Sequence, residues 1–169
     1  RLVLARLPTP IEPLRRLSAE LGADVWVKRD DLTGLGCSGN KVRKLEFLLA
    51  EAEALGADTV LTTGGIQSNH ARATAVAARR LGLEPRLLLR GEEPEVPESN
   101  LLLDRLLGAR VRWCSAPDYA ERRDALLAGW AESLRSQGLR PYVIPEGGSN
   151  GLGAVAFARA AAEIQGEFD

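Results

Sequence analysis

Methionine is absent from the 169-residue chain, cysteine occurs twice, histidine occurs once, and aromatic residues make up only 5%. Cys37 and Cys114 lie far apart and match no C-x-x-C pattern. The sequence therefore indicates neither a disulfide framework nor a metal site, and both thiols are expected to be buried. A surplus of positive charge is also missing, because 22 basic residues face 23 acidic ones. Nucleic acid is not an expected partner, since a long contact with phosphates needs such a surplus.

Long apolar runs are missing as well. No uncharged stretch approaches the roughly 18 residues that a membrane-spanning helix requires, and the opening RLVLARLPTP lacks the apolar core of a signal peptide. We therefore expect a cytoplasmic protein without a membrane partner. Apolar residues at 45% and charged residues at 27% are ordinary for a folded chain of this length. The missing methionine, and a last helix that runs to Phe168 and Asp169 without a following strand, predict a fragment of a longer protein.

Lysine is the scarce basic residue. It occurs at Lys28, Lys41 and Lys44, and the other basic residues are all arginine. Lysine can lose its proton and form an imine with an aldehyde, whereas arginine stays charged. A retained lysine is therefore a candidate for such chemistry, although three positions can also stay lysine by chance.

Short β-rich runs alternate with amphipathic helical runs, which predicts a parallel sheet covered by helices on both faces. The predicted strands are Val25 to Lys28, Thr59 to Thr63, Arg86 to Arg90, Arg110 to Cys114 and Pro141 to Ile144. The predicted helices are Asn40 to Leu55, Ser68 to Leu81, Ser99 to Leu107, Tyr119 to Gln137 and Gly153 to Ile164. Glycines that suit left-handed helix ends follow four of these helices, at Gly56, Gly82, Gly108 and Gly138. The stretch GEEPEVPE at 91–98 predicts a solvated loop.

The first segment that can carry chemistry is DDLTGLGCSGNKVRK, residues 30–44. It contains the pattern G-x-G-x-x-G, but a dinucleotide site also needs an acidic residue at the end of the next strand, where Thr62 and Thr63 stand. Lys41 lies in the first turn of the following helix, where the helix dipole and burial both disfavour a charged amine and favour an imine with pyridoxal phosphate. Lys44, one turn later, would place a positive charge near an anionic group of that ligand. The alternative is that both lysines are solvated.

The second segment is TTGGIQSNHAR, residues 62–72, in which Ser68, Asn69 and His70 begin a helix. Free backbone N–H groups at a helix start can bind a carboxylate or phenolate oxygen, although serine and asparagine are also ordinary helix caps. Ligands gather at the carboxyl ends of parallel strands. We therefore expect the first two segments at one cleft.

The third segment, IPEGGSNGLG at 144–153, favours a tight turn capped by Ser149 or Asn150 over a phosphate cradle. Trp26, Trp113 and Trp130 fall on predicted strands or helices and are expected in the core.

Together these segments resemble the pyridoxal-phosphate enzymes of the tryptophan synthase β-subunit superfamily, also called fold type II. The resemblance is to the branch of D-cysteine desulfhydrase and 1-aminocyclopropane-1-carboxylate deaminase. The matching strings cover nearly the whole chain in the right order: WVKRDDLTGLGCSGNKVRKLEFLLAEA, GADTVLTTGGIQSNHARATAVAARRLGL, SNLLLDRLLGARV and PYVIPEGGSNGLGA.

The resemblance implies a three-layer α/β/α fold with two domains. Residues 1–45 would belong to the larger domain, 46–155 would form the smaller domain, and 156–169 would begin the return to the larger one. Family members are about twice this length, so the phosphate loop, the group facing the pyridine nitrogen and the active-site tyrosines would lie in a half not present here. A homodimer is also implied.

The resemblance assigns the catalytic Schiff base to Lys41 and contact with the cofactor phosphate to Lys44. Asn69 would bind the cofactor ring oxygen, and Ser68, Asn69 and His70 would receive the substrate carboxylate, with Ser68 a candidate for proton transfer. His70 stands where the deaminases usually carry glutamine, which favours D-cysteine desulfhydrase.

The implied reaction converts D-cysteine to pyruvate, hydrogen sulfide and ammonia. The implied class is a lyase, or a hydrolase where water completes the deamination. One alternative is the deaminase, which would yield 2-oxobutanoate and ammonia. The other is a non-catalytic remnant or interaction domain, which the length of the parent reading frame would distinguish from an enzyme.

Overall fold

The computed structural model describes residues 1–34 and 36–168; Leu35, in the glycine-rich segment, and Asp169 lie outside the described residues. The elements follow the chain as β1 (Ile11–Pro13), α1 (Arg15–Leu21), β2 (Trp26–Lys28), a 3-10 turn (Asp30–Leu32), α2 (Lys41–Ala54), β3 (Thr59–Gly65), α3 (Asn69–Arg80), β4 (Glu84–Arg90), α4 (Ser99–Leu106), β5 (Arg110–Cys114), α5 (Ala116–Arg135), β6 (Pro141–Val143), a second 3-10 turn (Glu146–Gly148) and α6 (Gly151–Gln165).

Four of the strands form a parallel sheet in the order β5-β4-β3-β6. Alternate residues along these strands point to opposite faces. Val60 packs with α2 and α3, whereas the next residue, Leu61, packs with Leu127 and Trp130 of α5. Helices therefore cover both faces, and the expected three-layer α/β/α fold is confirmed.

The predicted strand at Trp26 is formed, but it lies outside the parallel sheet. β2 pairs antiparallel with β1 in a separate two-stranded ribbon. Gly22, at φ 65°, ends α1 in the left-handed conformation and lets the chain turn back. The sequence reading missed β1 and α1, because a three-residue strand and a seven-residue helix without a buried residue leave no clear periodicity.

The four predicted glycine ends are confirmed. Gly56, Gly82, Gly108 and Gly138 all have φ between 67° and 84°. The four helices before them end within two residues of the predicted limits. The loop at 91–98 is mostly exposed, as expected.

Two expectations about burial need correction. Trp26 is 48% exposed rather than in the core, because it lies on the outer two-stranded ribbon, where its ring and the Phe168 ring pack edge-to-face with centroids 5.3 Å apart. Cys37 is buried but Cys114 is only half-buried, since it ends the edge strand β5. Trp130 is buried and Trp113 packs against the core, as predicted.

None of the helices in the described residues has both the length and the apolar character needed to cross a membrane. Within the same residues, no three His, Cys, Asp or Glu side chains cluster in a way that suits a metal ion.

Candidate active site

A cleft of about 630 Å³ lies at the carboxyl ends of β3 and β6. Its lining includes Lys41, Ser68, Asn69, His70, Arg123, Asp124, Pro145, Glu146, Gly147 and Ser149. The structure thus brings the lysine segment and the Ser68–His70 turn to one cleft, as the sequence predicts. Residues of the third segment line the cleft as well.

Lys41 is the first residue of α2, and the buried side chains of Val42 and Leu45 fix that helix against the core. The Lys41 amine lies against bare backbone. A Cβ atom added to Gly147 would come within 3.6 Å of Lys41 Nζ, and Gly147 has φ 64°. The positive φ favours glycine at this position, and the cleft that Lys41 lines gives the amine the space that a ligand would need.

Ser68 is the N-cap of α3, and its Oγ accepts a hydrogen bond of 3.2 Å from the backbone N–H of Ala71. Gly64 makes this position possible, because a Cβ atom there would lie 2.5 Å from Ser68 Oγ. The Ser68 hydroxyl keeps its own proton. The N–H groups in the first turn of a helix have no partner within that helix, so this turn presents donors suited to an oxygen anion.

His70 is 3% exposed, and its Nε2 lies 2.9 Å from Thr62 Oγ. Thr62 donates its single hydroxyl proton to the Ile144 carbonyl at 3.0 Å, so it accepts from His70, and Nε2 carries the imidazole proton. Burial, followed by the charges of Lys41 and Lys44, lowers the pKa of His70 to about 4. The Pro145 carbonyl opposes this shift more weakly. The ring is therefore neutral at pH 7, and among the described residues Nδ1 has no hydrogen-bond partner.

Lys44 points to the third segment. Its Nζ donates to the Gly147 carbonyl and to Ser149 Oγ, both at 3.1 Å. Burial and the neighbouring Lys41 lower the pKa of Lys44. Its predicted contact with a cofactor phosphate stays a prediction.

The third segment forms a tight turn, as favoured from the sequence. Asn150 caps α6, because its Oδ1 accepts from the Gly153 N–H at 2.8 Å. Ser149 instead accepts from Lys44, so the turn both starts α6 and lines the cleft.

Sequence reasoning missed several residues of the cleft and its supports. Arg123 and Glu146 form an ion pair of 3.3 Å between α5 and the second 3-10 turn. Asn100 reaches the cleft residue Asn69 from the start of α4. Thr62, fully buried on β3, orients His70. A polar residue at a buried strand end and an asparagine after the β4 loop were available signals, since ligand sites gather at that edge of a parallel sheet.

A parallel sheet with a cleft of this size at its strand ends is typical of an α/β protein that binds a small molecule. Residues 2–169 match the model of the family described as "Pyridoxal-phosphate dependent enzyme". The chain belongs to this family, as its motifs predict.

Known relatives carry two activities in their names. The chain is 49% identical over 164 residues to a putative 1-aminocyclopropane-1-carboxylate deaminase of Pyrococcus abyssi, covering 97% of this chain and 49% of that protein. It is 48% identical over 170 residues to D-cysteine desulfhydrase of Klebsiella pneumoniae, covering 97% and 51%. A mitochondrial protein of Arabidopsis thaliana, 49% identical over 168 residues and covered at 96% and 42%, is named for both activities.

Solved structures agree with the fold. An ACC deaminase homologue superimposes with a TM-score of 0.90 at 47% identity, covering 98% of this chain and 50% of that one. A fungal L-serine ammonia-lyase from Rhizomucor miehei shares the fold, with a TM-score of 0.71 at 17% identity, covering 98% and 48%. The chain thus spans about half the length of the relatives it matches. For these named activities lyase is the fitting class, so the expectation of a hydrolase is wrong.

The described residues fit the family's cofactor. Imine formation needs a primary amine with space beside it, which Lys41 has next to Gly147. The turn at Ser68–His70 adds hydrogen-bond donors for an anionic oxygen.

Proposed function

We propose that the full-length protein is a pyridoxal-phosphate dependent lyase that converts D-cysteine and water to pyruvate, hydrogen sulfide and ammonia. The observation that carries this proposal is the meeting of Lys41 with Ser68, Asn69 and His70 around one cleft. Pyridoxal phosphate supplies an electron sink for bond cleavage next to the amino group of the substrate. The half of the site described here supplies the amine, the proton carriers and the anion donors.

In this proposal the Lys41 amine would hold pyridoxal phosphate in the cleft. The Lys41 amine would also move a proton at the substrate α-carbon, since a free primary amine can act there as a general base or acid. Ser68 is the second candidate for this step, because its hydroxyl lies at the cleft with its proton uncommitted to the helix cap.

The other roles concern binding. The N–H groups at the start of α3 would receive the substrate carboxylate, with Ser68, Asn69 and His70 forming the pocket for it. Asn69 would donate to the cofactor ring oxygen, and Lys44 would leave Gly147 and Ser149 to reach the cofactor phosphate. The neutral His70 ring adds no positive charge to this pocket, so the carboxylate would depend on the backbone donors.

The second candidate substrate is 1-aminocyclopropane-1-carboxylate, which would yield 2-oxobutanoate and ammonia. The names of the relatives support it, because deaminase and desulfhydrase occur at nearly the same identity. Both reactions would use the same Lys41 chemistry. We also propose that the chain divides into two domains at residues 45 and 155, and that the full-length protein is a cytoplasmic homodimer.

The test starts with the full-length protein and pyridoxal phosphate. Borohydride reduction followed by peptide mapping should place the cofactor mass on Lys41, and D-cysteine should then release sulfide from unreduced enzyme. Lys41→Ala should abolish both signals. Lys28→Arg is the matched control, because Lys28 pairs with Glu163 outside the cleft and should keep both signals.

The outcomes separate the candidates. Modification of Lys41 with sulfide release supports the desulfhydrase. Modification without sulfide, but with 2-oxobutanoate from the cyclopropane substrate, establishes the deaminase instead. A protein that takes up no cofactor on Lys41 overturns the catalytic proposal and favours a non-catalytic domain.

A further inference from the structure

Asn100, the second residue of α4, makes a dense set of hydrogen bonds to the turn that precedes α3. Its backbone N–H donates to Gln67 Oε1 at 2.9 Å, and its Nδ2 donates to the Gln67 backbone carbonyl at 2.9 Å. The same Nδ2 donates to Asn69 Oδ1 at 3.0 Å. Gln67 Nε2 in turn donates to the Glu98 carbonyl at 3.1 Å. These contacts join the loop after β4 to the cleft.

Backbone groups fix the direction of every bond in this set. A backbone N–H can only donate, so the Gln67 atom facing Asn100 N is an oxygen. A backbone carbonyl can only accept, so the Asn100 atom facing the Gln67 carbonyl is the amide nitrogen. That nitrogen also faces the side chain of Asn69, which must therefore turn its oxygen to Asn100. The orientation of the Asn69 amide follows from these contacts alone.

The consequence for the cleft is chemical. With Oδ1 bonded to Asn100, Asn69 has its Nδ2 donors left for a ligand, and Asn69 lines the cleft. A donor at this position recognises an acceptor, such as the oxygen of a pyridine ring hydroxyl. The opposite orientation would set a carbonyl oxygen against that oxygen and repel it.

The backbone conformation of Ser99, the residue before Asn100, is also unusual. Ser99 has φ 50°, a left-handed conformation that residues other than glycine seldom adopt unless their surroundings hold them there. The contacts of Asn100 with Gln67 and Asn69 provide such a hold.

We propose that Asn100 is a positioning residue that orients the Asn69 amide, so that Asn69 donates to the ring oxygen of the cofactor. This inference rests on the proposed function. It assigns Asn100 no contact with cofactor or substrate.

Two substitutions of Asn100 separate orientation from packing. In Asn100→Asp the carboxylate cannot donate, so the Asn69 amide should turn its nitrogen to position 100 and its oxygen to the ligand. In Asn100→Ala the Asn69 amide is released and can turn either way. Gln67→Ala is the matched control, because it removes contacts that hold α4 but leaves the bond between Asn100 and Asn69.

The first readout is the dissociation constant of pyridoxal phosphate from the full-length protein. Asn100→Asp should weaken binding roughly tenfold or more, the size expected for a lost hydrogen bond to a charged oxygen. Asn100→Ala should weaken it less, and Gln67→Ala should stay close to wild type. The proposal would be overturned if Asn100→Asp bound pyridoxal phosphate as tightly as wild type, or more tightly than Asn100→Ala. An equal loss of affinity in Gln67→Ala would also overturn it.

The second readout needs no cofactor. Nitrogen-proton NMR of side-chain amides, with the Asn69 signal assigned from Asn69→Ala, should show free amide protons in wild type and one hydrogen-bonded proton in Asn100→Asp. Unchanged Asn69 signals would contradict the inference. If the wild-type protein takes up no cofactor, the proposed function fails, and these spectra still decide the orientation of Asn69.

Discussion

Ser68 occupies its position because Gly64 has no side chain. A Cβ atom at Gly64 would lie 2.5 Å from Ser68 Oγ and 2.6 Å from its Cβ, closer than real side chains approach. Gly65 has more room, since a Cβ atom there would lie 3.7 Å from the nearest nitrogen of Arg90. A side chain at position 64 would therefore clash with Ser68, whereas a side chain at position 65 would make an ordinary contact with Arg90.

Gly64→Ala should lower kcat/KM by about 100-fold, because a shift of about 1 Å in a group at the reaction centre has an effect of that order. Gly65→Ala should change kcat/KM by far less. Steady-state kinetics of the two variants, with whichever of the two candidate substrates the full-length protein turns over, would check this. Equal activity of the two variants would show that the Ser68 position is not needed for turnover.

At the scale of residues, the sequence predicted that Lys41 and the Ser68–His70 turn share one cleft, and the structure shows this arrangement, whereas their catalytic and binding roles stay predictions. Lys41 and the Ser68–His70 turn could be found because they stand at strand ends in strings with a strong family resemblance. Arg123 could not, because it comes from a distant part of the chain and meets the site only through the packing of α5 on the sheet. Thr62 looked like a plain strand residue, and its bond to His70 depends on the pairing of β3 with Ile144 next to β6.

At the scale of elements, a group of charged side chains holds α6 to the segment before α2. Arg43, on α2, donates to Asp30 at 2.8 Å and to Glu163, on α6, at 2.9 Å. Glu163 also accepts from Lys28 at 2.7 Å and from the backbone N–H of Thr9 at 3.1 Å. The Arg43 side chain is 3% exposed, so it depends on these partners for its charge.

Glu163→Gln should reduce the free energy of unfolding at pH 7 by about 2 kcal/mol, because a buried guanidinium loses one of its carboxylates. The hydrogen bond from Arg43 leads the contacts that lower the pKa of Glu163 from 4.5 to about 2. A carboxylate with a lowered pKa stabilises the fold fully above pH 4.5, and this contribution is lost as the pH falls from 4.5 to 2. The difference between wild type and variant should therefore shrink over that range.

Urea unfolding of the full-length protein at several pH values would measure this difference. Glu167→Gln is the control, because Glu167 pairs with Lys28 near the surface and should matter little. A wild-type acid profile identical to that of Glu163→Gln would refute the expected role of Glu163.

How well the sequence predicted a helix or strand depended on its length and on the elements that pack against it. β3, β4 and β5 and the helices between them could be read from apolar runs punctuated by glycine, because β3, β4 and the helices bury apolar residues and β5 packs Val111 and Trp113 against them. β1 and β2 could not be paired from the sequence. Their pairing depends on the turn at Gly22 and on α6, whose Glu163 contacts Lys28 at the end of β2.

At the scale of the whole molecule, one buried carboxylic acid lowers the stability of the folded state when it is ionised. Asp104, on α4, is fully buried, and neither of its carboxylate oxygens has a partner in the described part of the chain. Burial raises the pKa of Asp104 to about 7, and the charge of Arg72 offsets this shift only in part. Since the folded state holds this proton more tightly, stability falls as the pH rises from 3.8 to 7.

Asp104→Asn should therefore raise the free energy of unfolding at pH 8, by about 2 kcal/mol, because it removes the cost of a buried charge. At pH 4 the two proteins should differ little. Asp24→Asn, at an exposed position, should be neutral at both pH values. Thermal or urea unfolding would decide, and a variant that is less stable at pH 8 would show that the Asp104 charge has a partner after all.

β3 lies inside the sheet, hydrogen-bonded to β4 on one side and to β6 on the other, and it leads directly into the turn at Ser68. Interior strands of this kind open to solvent only when a whole cooperative unit unfolds. The amide protons of β3 should then be among the slowest to exchange with deuterium. A ligand bound in the cleft would slow the exchange of the β3 amides as well as that of its own loops, because binding disfavours the cooperative unfolding through which the β3 amides exchange.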